Sequence, residues 1–136
     1  MPDHEQAMLA YAHLAKASQD KRQLAGRDRF LVLAAAAACR AGWPQAADCC
    51  RRMLLEHNPR HLIGRQQTTA DALRNEAFQT LLRQLERLCP YEHAEHLLRT
   101  LGVELSAGGD AGREAMLILG CEPPDDEAAD EDGDAV

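Results

Sequence analysis

The segment Cys89-Pro90-Tyr91-Glu92-His93-Ala94-Glu95-His96 is the best metal-ligand candidate in the chain. Glu92 and His96 stand four apart, which on a helix puts a carboxylate and an imidazole on one face, a workable pair of zinc ligands. His93 lies one position round from Glu92. The order is not His-Glu-x-x-His, however, and no second segment offers obvious further ligands, so no metal is expected. The competing reading is a plain helix N-terminus, where Glu92 and Glu95 favour the dipole. His57 and His61 flank Asn58-Pro59-Arg60, and His57 falls where a helix ends, a favourable place for an imidazolium. The polar stretch carrying Arg60, His61, Arg65 and Gln66 is a solvated connector or else a loop that touches a ligand.

Nucleophilic catalysis finds no support. There is no Gly-x-Ser-x-Gly elbow and no Cys–His–Asp pattern, and the glycine-rich stretch 107–112 lacks the Gly-Lys-Ser/Thr ending of a phosphate loop. The chain is therefore expected to be neither an enzyme nor a cofactor carrier. Its five cysteines, Cys39, Cys49, Cys50, Cys89 and Cys121, form no Cys-x-x-Cys pair, and adjacent Cys49 and Cys50 point to different sides of one helix. They are expected as reduced, mostly buried thiols of a cytoplasmic protein.

The net charge of −7 is unevenly spread. Eight of the 22 acids fall in residues 122–136, which hold no base, leaving 14 acids against 15 Lys and Arg in residues 1–121. The expectation is a near-neutral domain over 1–120 and a disordered acidic tail over 121–136, too poor in apolar residues to fold. The tail serves solubility, or it covers a basic groove on its own body. Lys21, Arg22, Arg27 and Arg29 form a small basic patch, but no stacking aromatic accompanies them, so nucleic acid is not the favoured partner. The run from Lys21 to Cys39 has the basic, apolar and cysteine order of an export signal. It is too short to span a membrane and begins well inside the chain, so no membrane association is expected.

The elements that position these residues are helical. Aromatics make up only 4% of the chain, and no alternating pair of runs signals a hairpin of strands. The spacing predicts helices over 3–24, 27–40, 44–57, 70–88, 91–101 and 111–119. Gly26, Gly42, Asn58-Pro59, Cys89-Pro90, Gly102 and Gly120 mark their ends. Thr69 or Asp71 is expected to cap the fourth helix, with a break possible at Arg74-Asn75. Leu73, Ala77, Phe78, Leu81, Leu82, Leu85 and Leu88 form its inward stripe, and Ala94, Leu97, Leu98 and Leu101 that of the next. The Ser106–Gly112 stretch reads as a flexible link to 111–119, a segment that either caps the core or detaches from it.

An offset of 47 residues lays one helical hairpin on another: Leu31 falls on Phe78, Ala35 on Leu82, Ala38 on Leu85, Ala47 on Ala94, Arg52 on Arg99 and Leu54 on Leu101. The punctuation agrees as well, as in a duplicated helix–turn–helix unit. The hairpin at 28–61 resembles a tetratricopeptide repeat, with small residues at Ala35, Gly42 and Ala47 and a proline at Pro59. A second, weaker copy covers about 75–102, with Tyr91 and Ala94 at the family's aromatic and small positions. Pro44 stands where the family has an aromatic residue and Arg51 where it has a bulky apolar one, and the copies lie 47 rather than about 34 residues apart. The whole chain also resembles small helical proteins of bacteria, a likeness that implies no activity.

The resemblance implies an all-α, right-handed stack of antiparallel hairpins, five or six helices in all, whose first helices line a concave face. Projected onto this chain, that face holds Arg29, Val32, Ala36 and Arg40, then Glu76, Gln79, Arg83 and Arg87. Val32 and Ala36 replace the Lys and Asn of the family's chaperone-tail clamp, so that ligand does not carry over. Guanidinium groups pair with carboxylates in bidentate fashion, so Arg29, Arg40, Gln79, Arg83 and Arg87 point to an acidic peptide or partner helix. The bland counterpart is a set of solvated helix faces. The expected function is a non-enzymatic protein–protein interaction module. The alternative is a small metal- or nucleic-acid-binding regulator with an autoinhibitory acidic tail.

Overall fold

A computed structural model of the protein describes residues 3–105 and 109–123. Among them lie seven α-helices: α1 (His4–Asp20), α2 (Leu24–Arg40), α3 (Pro44–His57), α4 (Thr69–Leu73), α5 (Glu76–Leu88), α6 (Tyr91–Leu101) and α7 (Ala111–Leu119). A single 3-10 turn, Leu62–Arg65, lies between α3 and α4. The all-α expectation holds, with one helix more than the largest expected number. The extra helix arises because Asn75 takes an extended conformation and its side chain accepts a hydrogen bond from the Phe78 N–H, starting α5 afresh. Thr68, not Thr69 or Asp71, caps α4. The acidic tail from residue 124 onward, and residues 106–108 of the link before α7, lie outside the described residues.

Four helices end by the same device. A residue at positive φ lets the next N–H reach back five positions, from Trp43 to Ala38, Val103 to Leu98, Cys121 to Met116 and Gln23 to Ser18. Gly42, Gly102 and Gly120 supply the turn in three cases, as expected, and Arg22 (φ 59°) supplies it in the fourth. The first helix therefore ends at Asp20 rather than 24, and Gly26 lies inside α2 instead of closing α1.

The core is built around α2. Its residues Leu31 to Ala38 are all buried, so the helix is enclosed on every side by α1, α3, α4 and α5. The alanine run keeps its middle thin, and neighbours approach closely. The α2–α3 hairpin is as expected. The second one differs: α5 packs on α2 and α6 packs on α1, so the two diverge from the Cys89-Pro90 joint instead of lying along one another. Pro90 in that joint is extended, and the Tyr11 hydroxyl donates to the Cys89 carbonyl at 2.8 Å, tying it to α1. Divergence turns two expected core positions outward: Leu88 is 68% exposed and Leu101 42%. Ala77 is exposed as well, and Leu73, Leu81 and Leu97 are half-buried.

The last helix closes the bundle. α7 packs on α1 and α3 and buries Ala111, Ala115, Met116 and Leu119. Gly112, expected in a flexible link, sits in its first turn flat against the Trp43 ring, where a Cβ would collide with the indole. The Trp43 indole N–H donates to a Glu5 carboxylate oxygen at 2.7 Å, joining α1, α3 and α7 at one corner. The expectation of five reduced thiols is overturned at one pair: Cys49 on α3 is disulfide-bonded to Cys121, just past α7. Their Cα atoms are 6.3 Å apart across 72 positions of sequence, a juxtaposition that only the tertiary fold creates. Cys39, Cys50 and Cys89 are free, and burial pushes the Cys50 thiol up to about 12.

Closing a loop of 72 positions lowers the entropy of the unfolded chain, a contribution of about 4 kcal/mol in the loop-closure model. Reduction, or Cys49→Ser with Cys121→Ser, is expected to lower the denaturant midpoint by a comparable free energy and to speed amide exchange in α7 first. Equal midpoints for the oxidised and reduced chains would contradict this. Burial also lowers the pKa values of His13 and His61, against smaller raising effects of Glu114 and Asp28 respectively. The unfolded chain then binds more protons than the folded one below the ordinary histidine value of 6.5. Stability is expected to hold above that pH and to fall as acidification passes through the lowered folded values. Chemical denaturation between pH 5 and 7 checks the slope, and His13→Gln with His61→Asn should flatten it.

Candidate functional site

The residues expected on one concave face are divided by the fold. Val32 and Ala36 are each 1% exposed and line no open surface, because α2 is covered on all sides in its middle. Only the two ends of α2 reach solvent, with Arg29 at one and Arg40 at the other. Arg29 opens onto a groove between α5 and α6. Arg40 lies in a different groove, together with Gln79 and Arg83.

This second groove is the candidate site. It encloses about 330 Å³ and is lined by Arg40 from α2, Leu73 from α4, and Gln79, Leu82, Arg83 and Glu86 from α5. Gln79, Arg83 and Glu86 follow one another at four- and three-residue steps, so a single face of α5 carries all three. The same helix buries Phe78, Leu82 and Leu85 on its other side, which fixes that face outward. Glu76 is exposed in the first turn of α5, outside the groove lining. Arg87, also exposed, stands one turn beyond Arg83 and continues the basic edge.

Electrostatically the groove is basic but partly compensated. Arg40 Nη1 lies 3.0 Å from Glu86 Oε2, with the two side chains 39% and 41% exposed. An exposed pair of this kind contributes only about 0–1 kcal/mol, so an incoming carboxylate can displace Glu86 at little cost. The Gln79 side-chain amide donates to the Leu73 carbonyl at 2.8 Å, tying α5 to the end of α4. Arg83 Nη2 makes a long contact of 3.4 Å with Thr80 Oγ1, which restrains the guanidinium weakly. Arg83 and Arg87 make no ion pair among the described residues.

The other chemistry-bearing residues are dispersed. Glu92, His93 and His96 are exposed on the first turns of α6, and no three His, Cys, Asp or Glu side chains come together for a metal ion among the described residues. His57 is the last residue of α3, as expected. Its Nδ1 pairs with Asp28 of α2, whose carboxylate also accepts from the Arg27 guanidinium, pinning the end of α3 to the start of α2. His61 accepts from the Ile63 N–H through Nδ1 and so caps the 3-10 turn. The Gln66 carbonyl accepts from Arg51 at 2.7 Å, which makes the 60–66 stretch a bonded connector. The Asp28–His57 pair joins residues 29 positions apart and had no sequence signal. Comparison of the chain with protein-family models, with curated proteins and with solved structures finds no match.

Proposed function

We propose that the protein is a non-enzymatic interaction module that takes an Asp- or Glu-rich segment of a partner protein along the α5 edge, with Arg40 and Arg83 as the main contacts. The observation that carries this reading is that two arginines from separate helices, Arg40 and Arg83, line one groove together with Leu73 and Leu82. Planar guanidinium groups take carboxylates in bidentate pairs, and the two leucines accept the apolar part of a peptide side chain. Arg87 extends the basic edge for the next acidic residue.

Fluorescence anisotropy with a labelled peptide of repeated Glu-Asp-Leu triplets tests the reading. Charge-assisted contacts contribute about 1.5–3 kcal/mol each, so Arg40→Glu with Arg83→Glu is expected to weaken binding at least about tenfold. Glu86→Gln is expected to tighten it a few-fold, by leaving Arg40 uncompensated. Added salt should weaken the complex throughout. Since residues 124–136 hold seven acids on the same chain, the measurement is repeated with the chain ended at Pro123. Binding that ignores both Arg40→Glu and Arg83→Glu would sink the assignment of this groove.

A further inference from the structure

The divergence of α5 and α6 leaves a second groove, about 240 Å³, that shares no lining residue with the first. We propose that it docks an amphipathic helix of a partner protein, anchored by a leucine-sized apolar side chain and bearing a carboxylate that pairs with Arg29. The floor is Phe30 and Leu33 of α2, and the walls are Leu85 and Leu88 of α5 and Leu97 of α6. Leu33 and Leu85 are 2% and 5% exposed, so the groove bottoms on the hydrophobic core, whereas Leu88 on its rim is 68% exposed. A large aliphatic side chain that far out of the core gains from being covered, at about 25 cal/mol per Å² of apolar surface removed from water.

Size and charge identify the occupant. The volume lies below the roughly 300–1,000 Å³ of pockets that enclose whole small molecules, and it suits an inserted side chain better. The walls are themselves helices, set apart where a packed hairpin would bring them together, so an added helix supplies the ridge that is missing between them. The basic side chains lining the groove are Arg29 and His93, the buried Cys89 thiol is held neutral by burial, and no carboxylate lines it. Arg29 makes no ion pair among the described residues, whereas Arg27 and Arg40 each have a carboxylate partner. The complementary ligand is therefore apolar at one helix position and acidic one turn away. This site stands independently of the α5 edge.

The experiment is selection of a displayed library of 18-residue helical peptides against the full chain, randomised at positions i, i+3, i+4 and i+7. Synthetic copies of the enriched peptides are then measured against variants. Enrichment of Leu, Ile, Met or Phe at one position and of Asp or Glu a turn away is expected. Leu88→Asp should weaken these peptides at least about tenfold, as loss of an interface anchor does. Arg29→Glu should weaken them several-fold and be restored by the charge-reversed Lys peptide, a compensation that misfolding cannot produce. Arg83→Glu should leave them unchanged while weakening binding of the Glu-Asp-Leu peptide, which separates failure of one site from failure of the other. Absence of acidic–apolar enrichment, or peptides insensitive to both Leu88→Asp and Arg29→Glu, overturns the proposal. So does sedimentation showing a dimer that Leu88→Asp dissolves, because the occupant is then a second copy of this chain.

Discussion

Enclosure of α2 is the constraint on which the rest depends. Eight consecutive buried residues, Leu31 to Ala38, leave that helix no outward face across its middle, and five of them are alanines. Small side chains let four other helices approach one axis. A larger residue there would force its neighbours apart, since cores resist added volume by about 1–3 kcal/mol per overpacked site. The same enclosure decides where α2 meets solvent. A central helix has only its ends to offer, and the two ends of α2 carry Arg29 and Arg40, each at the mouth of a groove whose walls other helices build.

Closure of the bundle follows from α1 and α7. In a stack of hairpins the first and last elements lie far apart, and terminal units need polar caps. Here α1 contacts α2, α6 and α7, and its residues Ala7 to Ala12 are all buried. The corner where Glu5, Trp43 and Gly112 meet is held by a hydrogen bond and by the flat contact of a glycine on an indole, and the Cys49–Cys121 bond secures its far side. The helix after the glycine-rich link is thus part of the core, locked by packing and by covalent chemistry together.

What could be read from the sequence was local. Gly42, Gly102 and Gly120 each act within a turn of their own position, and each ends a helix where expected. Arg22 escaped because arginine gives no warning of a positive φ, and the back-bond from Gln23 to Ser18 shows itself only in three dimensions. The tetratricopeptide resemblance puts Val32 and Ala36 on an open face, but a helix that is apolar all round is buried all round. Leu88 failed for the opposite reason. It continues the apolar stripe of α5, but the stripe outruns the part of the helix that α2 covers, because α6 turns away toward α1. The Cys49–Cys121 and Asp28–His57 pairings are long-range and needed the fold itself.

The Arg40–Glu86 pair adds surface charge to α5 without being what holds that helix in place. Phe78, Leu82 and Leu85 are between 1% and 5% exposed, and burying side chains of that size contributes about 1.5–3 kcal/mol each. Against that, an exposed ion pair adds at most about 1 kcal/mol, so α5 stays on α2 whether or not Glu86 holds Arg40. Glu86 is then dispensable to the fold but not to the charge of the groove, where it sets how much of the Arg40 field an approaching carboxylate meets. Arg29 has no such counter-charge, and its groove offers a full positive charge beside an apolar floor. The two ends of one buried helix thus present graded versions of the same chemistry. At one end the arginine is paired with Glu86, beside Gln79 and Arg83; at the other it has no carboxylate partner among the described residues and stands beside Phe30, Leu33 and Leu88.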